Sequence, residues 1–270
     1  MRAAVEGTSV AWREVGRGRP VILVHGLADD HRAWRKVLPR LVLDHRVVLY
    51  DLRGHGESEL GAADGSLGQL GRDLVGLMDA IEVPRAVVAG FSLGGTIAMR
   101  LGIDHPERVE GLALLATSSR VGAAAAQWYR ERADAVDLGD PGLRAQLDLD
   151  TEQVYRNDRR ELPDGLLIRR EATEDPRGYA NACRAMLGLH EHPLDDELGR
   201  ISAPTVVLAG ELDQHCPPRA GEILASRIST STLRVLAGAG HPIPVERPAE
   251  VADAIRELGR RHTFPGGKGA

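Results

Sequence analysis

Aromatic residues make up only 3% of this 270-residue chain. That leaves little material for a carbohydrate-stacking platform or for a surface on which nucleic-acid bases stack. Cysteine is scarcer still: Cys183 and Cys216 show neither metal-ligand spacing nor a disulfide framework. Cys183 falls in a stretch of helical character and reads as a small buried hydrophobe. No apolar run approaches membrane-spanning length, and Glu6 breaks the N-terminus before any signal-like segment forms. Neither sign of charge dominates. A net charge of −5 with 27% charged residues argues for neither nucleic acid nor an anionic membrane as a partner. A cytoplasmic protein is expected, built as one large domain or as a core with an inserted subdomain.

What the chain does have is rhythm. Short Val/Leu/Ile-rich runs at 21–24, 46–50, 86–89, 111–116, 205–209 and 232–236 alternate with helical stretches. Continuous apolar runs of that length suit strands buried on both faces, so the expected fold is α/β: a doubly wound, mainly parallel sheet. Before it, Gly7 is placed for a hairpin turn. Pro248 begins a helix that carries Val251, Ile255 and Leu258 at helical spacing. The tail, 265–270, is expected to be disordered. Between 118 and 194 the rhythm stops. Residues 123–136, 143–149 and 179–189 read as helices there, separated by Gly139-Asp140-Pro141, Leu162-Pro163-Asp164-Gly165 and Asp175-Pro176-Arg177-Gly178.

The chemistry gathers at the ends of three strands. Gly90-Phe91-Ser92-Leu93-Gly94 separates the run ending at Ala89 from a helical stretch, Thr96 to Leu101. A strand, Gly-x-Ser-x-Gly, then a helix forces the serine into a sharp turn with its hydroxyl exposed. Larger side chains at Gly90 or Gly94 would collide across such a turn. Asp213 follows the run ending at Ala209, and His241 follows the run ending at Leu236. A serine hydroxyl needs a base within reach, an imidazole can take and return its proton, and a carboxylate can fix the imidazole tautomer. The catalytic candidates are therefore Ser92, His241 and Asp213. Glu211 is a nearby rival that strand alternation sends elsewhere, and Leu115-Ala116-Thr117-Ser118-Ser119 offers no carboxylate after the earlier strand. Pro242 pushes His241 toward an extended backbone. That stiffness either holds the base in place or tilts it from Ser92, and the sequence leaves both open.

The order Ser, Asp, His on strand ends resembles the α/β-hydrolase superfamily, over about residues 21–258. Two more segments carry the resemblance: His25-Gly26 after Val24 is similar to its oxyanion loop, and Asp51-Leu52-Arg53-Gly54-His55-Gly56-Glu57-Ser58 to the loop after the next core strand. The resemblance implies an oxyanion hole formed by the backbone N–H groups of Leu27 and Leu93. It implies no metal or organic cofactor. His25, His55, Asp51 and Arg53 are expected to shape loops. Residues 1–117 and 195–264 would form the core, and 118–194 a helical cap that excludes water and shapes an acyl pocket. Trp128, Tyr155, Met186 and His190 are candidates for the pocket wall. Arg132, Arg144, Arg169, Arg170 and Arg184 are candidate partners for a substrate carboxylate.

Serine as nucleophile separates the chain from dehalogenases and epoxide hydrolases of this fold, which use aspartate. Hydroxynitrile lyases add a catalytic lysine, and the only lysines here are Lys36 and Lys268, neither in the cap. Residues 175–185 and 201–205 resemble the cap-to-core transition of 3-oxoadipate enol-lactonases and related small esterases. The implied reaction is cleavage of a small ester or lactone through an acyl-enzyme. Two other classes remain open: a lyase, isomerase, cyclase or cofactor-free haloperoxidase on the same scaffold, and a receptor that keeps the pocket for binding.

Overall fold

The computed structural model describes residues 1–260; the expected tail at 265–270 lies outside them, as do residues 261–264. The chain opens with a hairpin of β1 (Arg2–Val5) and β2 (Thr8–Val15). Glu6 and Gly7 between them both take positive φ, 44° and 72°, the two-residue turn whose twist suits paired strands. Strands and helices then alternate: β3 (Arg19–Val24), α1 (Leu38–Leu41), β4 (His45–Tyr50), α2 (Leu67–Ala80), β5 (Ala86–Phe91), α3 (Leu93–Asp104) and β6 (Val109–Leu115). Four helices follow with no strand among them: α4 (Ala123–Asp137), α5 (Leu143–Val154), α6 (Leu162–Ala172) and α7 (Pro176–Glu191). The alternation resumes through β7 (Thr205–Gly210), α8 (Pro218–Arg227), β8 (Ser231–Leu236), α9 (Ile243–Glu246) and α10 (Pro248–Arg260). Among the described residues no helix is long and apolar enough to cross a membrane.

All eight strands share one sheet, in the order β1-β2-β4-β3-β5-β6-β7-β8. From β4 to β8 every neighbour is parallel, and β2 joins the β4 edge antiparallel. Because strand side chains alternate, each strand feeds two cores. Ile22, Val24, Val48 and Val88 pack under Leu74 of α2, Ile97 of α3 and Leu224 of α8. Val21, Leu23, Val47 and Val87 pack against Leu41 of α1 and Ile255 of α10 on the opposite face. This doubly wound arrangement matches the alternation of apolar runs. The chain goes outward from β3 to β4, then crosses back to β5 on the other side of β3. Such a switch point opens a crevice at the carboxyl ends of the strands.

Two expectations within the helical stretch need correcting. Leu162-Pro163-Asp164-Gly165, read as a break, is the first turn of α6, and Asp175-Pro176-Arg177-Gly178, also read as a break, is the N-cap and first turn of α7. Proline is tolerated in a first turn because the N–H it lacks would have no helical partner. Gly165 answers to packing: a Cβ there would lie 2.4 Å from the Tyr155 ring. The start of α7 is seated on the loop after β4 in a similar way. A Cβ on Gly178 would stand 1.8 Å from the Gly54 carbonyl oxygen, and Gly54 itself has φ +69°. Two backbones meet there with no room for a side chain.

Gly178→Ala is therefore expected to lower stability by roughly 1–3 kcal/mol or more through overpacking. Gly188 lies on the same helix with open space around it. Gly188→Ala should leave stability unchanged or raise it by up to about 1 kcal/mol. Urea denaturation of the two variants side by side checks both; equal midpoints would remove the close approach as a constraint.

Candidate active site

The turn after β5 is the strained point. Ser92 has φ 53° and ψ −118°, a conformation that L-residues rarely adopt. Its N–H donates to the Leu115 carbonyl at 2.9 Å. Its carbonyl accepts from Thr117 Oγ1 at 2.7 Å and from the Gly95 N–H at 2.9 Å. The flanking glycines are required by space. A Cβ on Gly90 would lie 2.2 Å from the Gly94 carbonyl oxygen, and one on Gly94 would lie 2.1 Å from that of Val24.

His241 and Asp213 converge on that turn. His241 Nε2 is 3.2 Å from Ser92 Oγ, and Nδ1 is 2.8 Å from Asp213 Oδ2. The carboxylate thereby holds the ring proton on Nδ1 and leaves Nε2 to accept from the serine hydroxyl. The other Asp213 oxygen accepts from the backbone N–H groups of His215 and Cys216, at 2.8 and 3.0 Å. Burial pushes the Asp213 carboxyl upward, but the facing His241 ring and these N–H groups outweigh it and hold it below the usual range. Glu211 turns away and accepts from the Gly238 N–H. Pro242 does not tilt the ring from Ser92. Its φ of −80° and ψ of 59° form an inverse γ-turn, in which the Ile243 N–H donates to the His241 carbonyl at 2.7 Å. The rings of Phe91 and His215 flank His241, with centroids 5.1 and 4.9 Å away.

Beside Ser92, Gly26 comes so close that a Cβ would stand 3.3 Å from the Ser92 Cβ. His25 shapes this loop: Nδ1–H donates to the Gly26 carbonyl at 2.8 Å, and Nε2 accepts the Leu52 N–H at 2.9 Å. Both nitrogens are occupied, which leaves none for proton transfer. His55 lies against it at 5.5 Å and donates to the Arg53 carbonyl. Arg53 is fully buried, paired with Asp73 at 2.6 Å and bonded to the carbonyls of Glu6, Leu60 and Ala62. Among the described residues, no protein acceptor takes the N–H of Leu27 or of Leu93.

A cavity of about 320 Å³ lies over Ser92 and His241. Trp128 and Met186 line it; Tyr155 and His190 do not. Tyr155 is buried with Val154 and Val245, where its ring fills space beside Gly165. His190 sits on the exposed end of α7 and bonds to the Val121 carbonyl. Among the five arginines, Arg169 reaches the cavity wall. Arg132 and Arg170 are held by Asp150 and Asp148, Arg184 by Asp137, and Arg144 by Thr173. Asp29, Gln214, His215 and Cys216 also line the cavity. His215 and Cys216 follow Asp213 so closely that the strand-end logic for the aspartate carries them too. Asp29 carried no sequence signal of its own. Asp30, His31 and Asp51 bring ligand-type atoms within 4.8 Å of one another. Protein donors already occupy them, since Asp51 accepts from His31 and Glu57 and Asp30 from Arg32.

The profile of the alpha/beta hydrolase fold matches residues 19–248. The chain is 29% identical to 3-oxoadipate enol-lactonase 1 of Acinetobacter baylyi over 232 residues, 84% of each chain. It is 32% identical to 2-hydroxymuconate semialdehyde hydrolase of a Pseudomonas species, over 90% of this chain and 87% of that one. The crystal structure of the enol-lactonase from Burkholderia xenovorans superposes with a TM-score of 0.86 at 29% identity, over 96% of this chain and 99% of its own.

Two histidines near the site make stability sensitive to acid. Burial, with the neighbouring His25 ring adding to it, pushes His55 from 6.5 down to about 4. Burial beside His241 does the same to His215. The unfolded chain thus takes up these protons first as pH falls, so stability declines from about pH 6.5 to about pH 4. Urea midpoints across that range should fall, and His55→Gln should flatten the slope whatever its effect at pH 7. An unchanged slope would show that His55 is not held neutral by the fold.

Proposed function

Since the chain belongs to the α/β-hydrolase fold family and is a hydrolase, we propose that it cleaves a carboxylic ester or lactone of a small molecule through an acyl-enzyme on Ser92. The observation that carries this reading is the relay of contacts from Ser92 Oγ to His241 Nε2, and from His241 Nδ1 to Asp213, on the floor of a cavity. Ser92 Oγ attacks the carbonyl carbon while His241 Nε2 takes its proton. Negative charge then develops on the carbonyl oxygen. The unpaired N–H groups of Leu27 and Leu93 receive it, and one such donor is worth roughly 10²–10³ in rate. His241 returns the proton to the departing oxygen, completing the acyl-enzyme. In a lactone that oxygen remains tethered to the acyl group. A water that loses a proton to His241 then attacks the acyl carbon; as the bond to Ser92 Oγ breaks, His241 passes that proton to Oγ and the free serine is regenerated. Asp213 holds the ring and stabilises its charged form throughout.

Residues 118–194 act in this reading as a cap over the strand ends. Phe91, Trp128, Tyr129, Val154 and Met186 give the cavity an apolar wall suited to a short acyl group. The similarity to the two enol-lactonases supports a lactone or small ester as substrate.

Release of p-nitrophenol from acetyl, butyryl and decanoyl esters tests this. The wild type should favour the short chains, and Ser92→Ala should lose about 10⁴-fold or more of kcat while keeping its fold. Turnover that persists in Ser92→Ala would sink the mechanism.

A further inference from the structure

Arg169 reaches the cavity wall from α6, yet protein acceptors already hold its guanidinium. Nη1 donates to the Leu27 carbonyl at 3.1 Å and lies 3.5 Å from Asp29 Oδ1. Nε donates to Thr151 Oγ1 on α5 at 3.0 Å, and Thr151 in turn donates to the Leu147 carbonyl at 2.7 Å. The side chain is only 12% exposed, so it is anchored on both sides and not free to swing.

The Leu27 carbonyl lies at the middle of a turn. The Asp29 N–H reaches back to the Gly26 carbonyl at 3.3 Å, Leu27 is not a positive-φ residue, and Ala28 has φ +62°. That is a type II turn, whose third position normally demands glycine. Alanine is disfavoured there by the clash of its Cβ with the backbone. The turn's closing bond is also long. Such a turn relaxes by rotating the peptide between its second and third residues. Rotation would swing the Leu27 carbonyl away and return Ala28 to negative φ. Two features of the helical segment oppose it: Arg169 grips the carbonyl, and the Ala28 methyl is packed with Ala133, Leu147 and Tyr179. The Gly26 carbonyl that closes the turn shares its peptide plane with the Leu27 N–H, and His25 Nδ1–H grips the same carbonyl at 2.8 Å. The turn and His25 therefore hold that donor together.

We propose that Arg169 is a positioning residue for the oxyanion hole, keeping the Gly26–Leu27–Ala28–Asp29 turn in its strained form so that the Leu27 N–H stays aimed beside Ser92. The inference rests on the serine-hydrolase reading. It distinguishes Arg169 from a receptor for a substrate carboxylate, because a carboxylate receptor would act through substrate affinity and only on anionic substrates.

The test uses a neutral ester, p-nitrophenyl acetate, with Arg169→Met, Arg169→Lys and the double variant Arg169→Met/Ala28→Gly. Arg169→Met should lose about ten- to hundredfold in kcat with KM within about twofold, short of the loss expected when a donor disappears altogether. Arg169→Lys should fall between it and the wild type. Ala28→Gly should restore part of the lost kcat in the double variant, because glycine adopts the turn without strain. A structural role alone would not give that rescue. A rise in KM with unchanged kcat, or no rescue by glycine, would overturn the proposal. A crystal structure of Arg169→Met reads the turn independently of turnover. Ala28 is expected at negative φ, or the bond from Asp29 to Gly26 opened; an unaltered turn would overturn the proposal even if kcat fell. Failure of the underlying reading has a different signature, namely turnover that survives Ser92→Ala.

Discussion

The backbone of Ser92, held at φ 53°, is the constraint on which the rest of the site depends. Strain of this kind costs on the order of 1–3 kcal/mol and persists only where the surroundings over-determine it. Here they do. Leu115 and Thr117 grip the serine's own peptide groups, and Val24 and Gly94 close the space on either side. Among the described residues five non-glycine positions have positive φ, and Ala28, Ser92 and Ala116 all lie just past the carboxyl ends of adjacent strands. The strain is concentrated where β3, β5 and β6 end. A parallel sheet supplies the rigid platform, and the distorted residues sit at its rim.

Around that rim hydrogen bonds and one buried ion pair tie the loops to one another. His25 ties the Gly26 loop to Leu52, and Asp51 ties Leu52's own loop to His31 and Glu57. Arg53 anchors the same loop to α2 through Asp73. Burial raises the Asp73 carboxyl more than the guanidinium lowers it, which marks the desolvation of the pair. A buried pair of this sort adds little net stability, yet losing one partner strands a charge in the core. Its role is to fix one geometry. Among the described residues, the N–H groups of Leu27 and Leu93 have no protein acceptor, in contrast to these paired loop groups.

Much of this was legible in the sequence, for reasons that differ by element. The buried parallel strands announce themselves as short apolar runs because both of their faces are covered. Gly90 and Gly94 are visible because a tight turn leaves no other choice of residue. α6 was not legible, because Pro163 and Gly165 look like breakers until one knows that the first is at a helix start and the second faces the Tyr155 ring. Tyr155 and His190 were misplaced for a related reason. Helical periodicity tells which residues share a face, but not whether that face meets a cavity, the core or water. The strain at Ala28 is wholly invisible in composition, since alanine, unlike glycine or asparagine, gives no sign of a left-handed turn.

That choice of alanine makes sense only when the helical segment is considered with the core. Glycine would relax the turn but would forfeit the methyl group that packs against Ala133, Leu147 and Tyr179. With alanine, the turn's conformation becomes dependent on contacts from α4 to α7. Those helices are in turn seated on the loop after β4 by the meeting of Gly54 and Gly178. The segment between β6 and β7 therefore does not rest passively on a finished core. Its packing and its hydrogen bonds enter the loop beside Ser92, so a change in these helices can alter the geometry around Ser92 as well as the shape of the cavity above it.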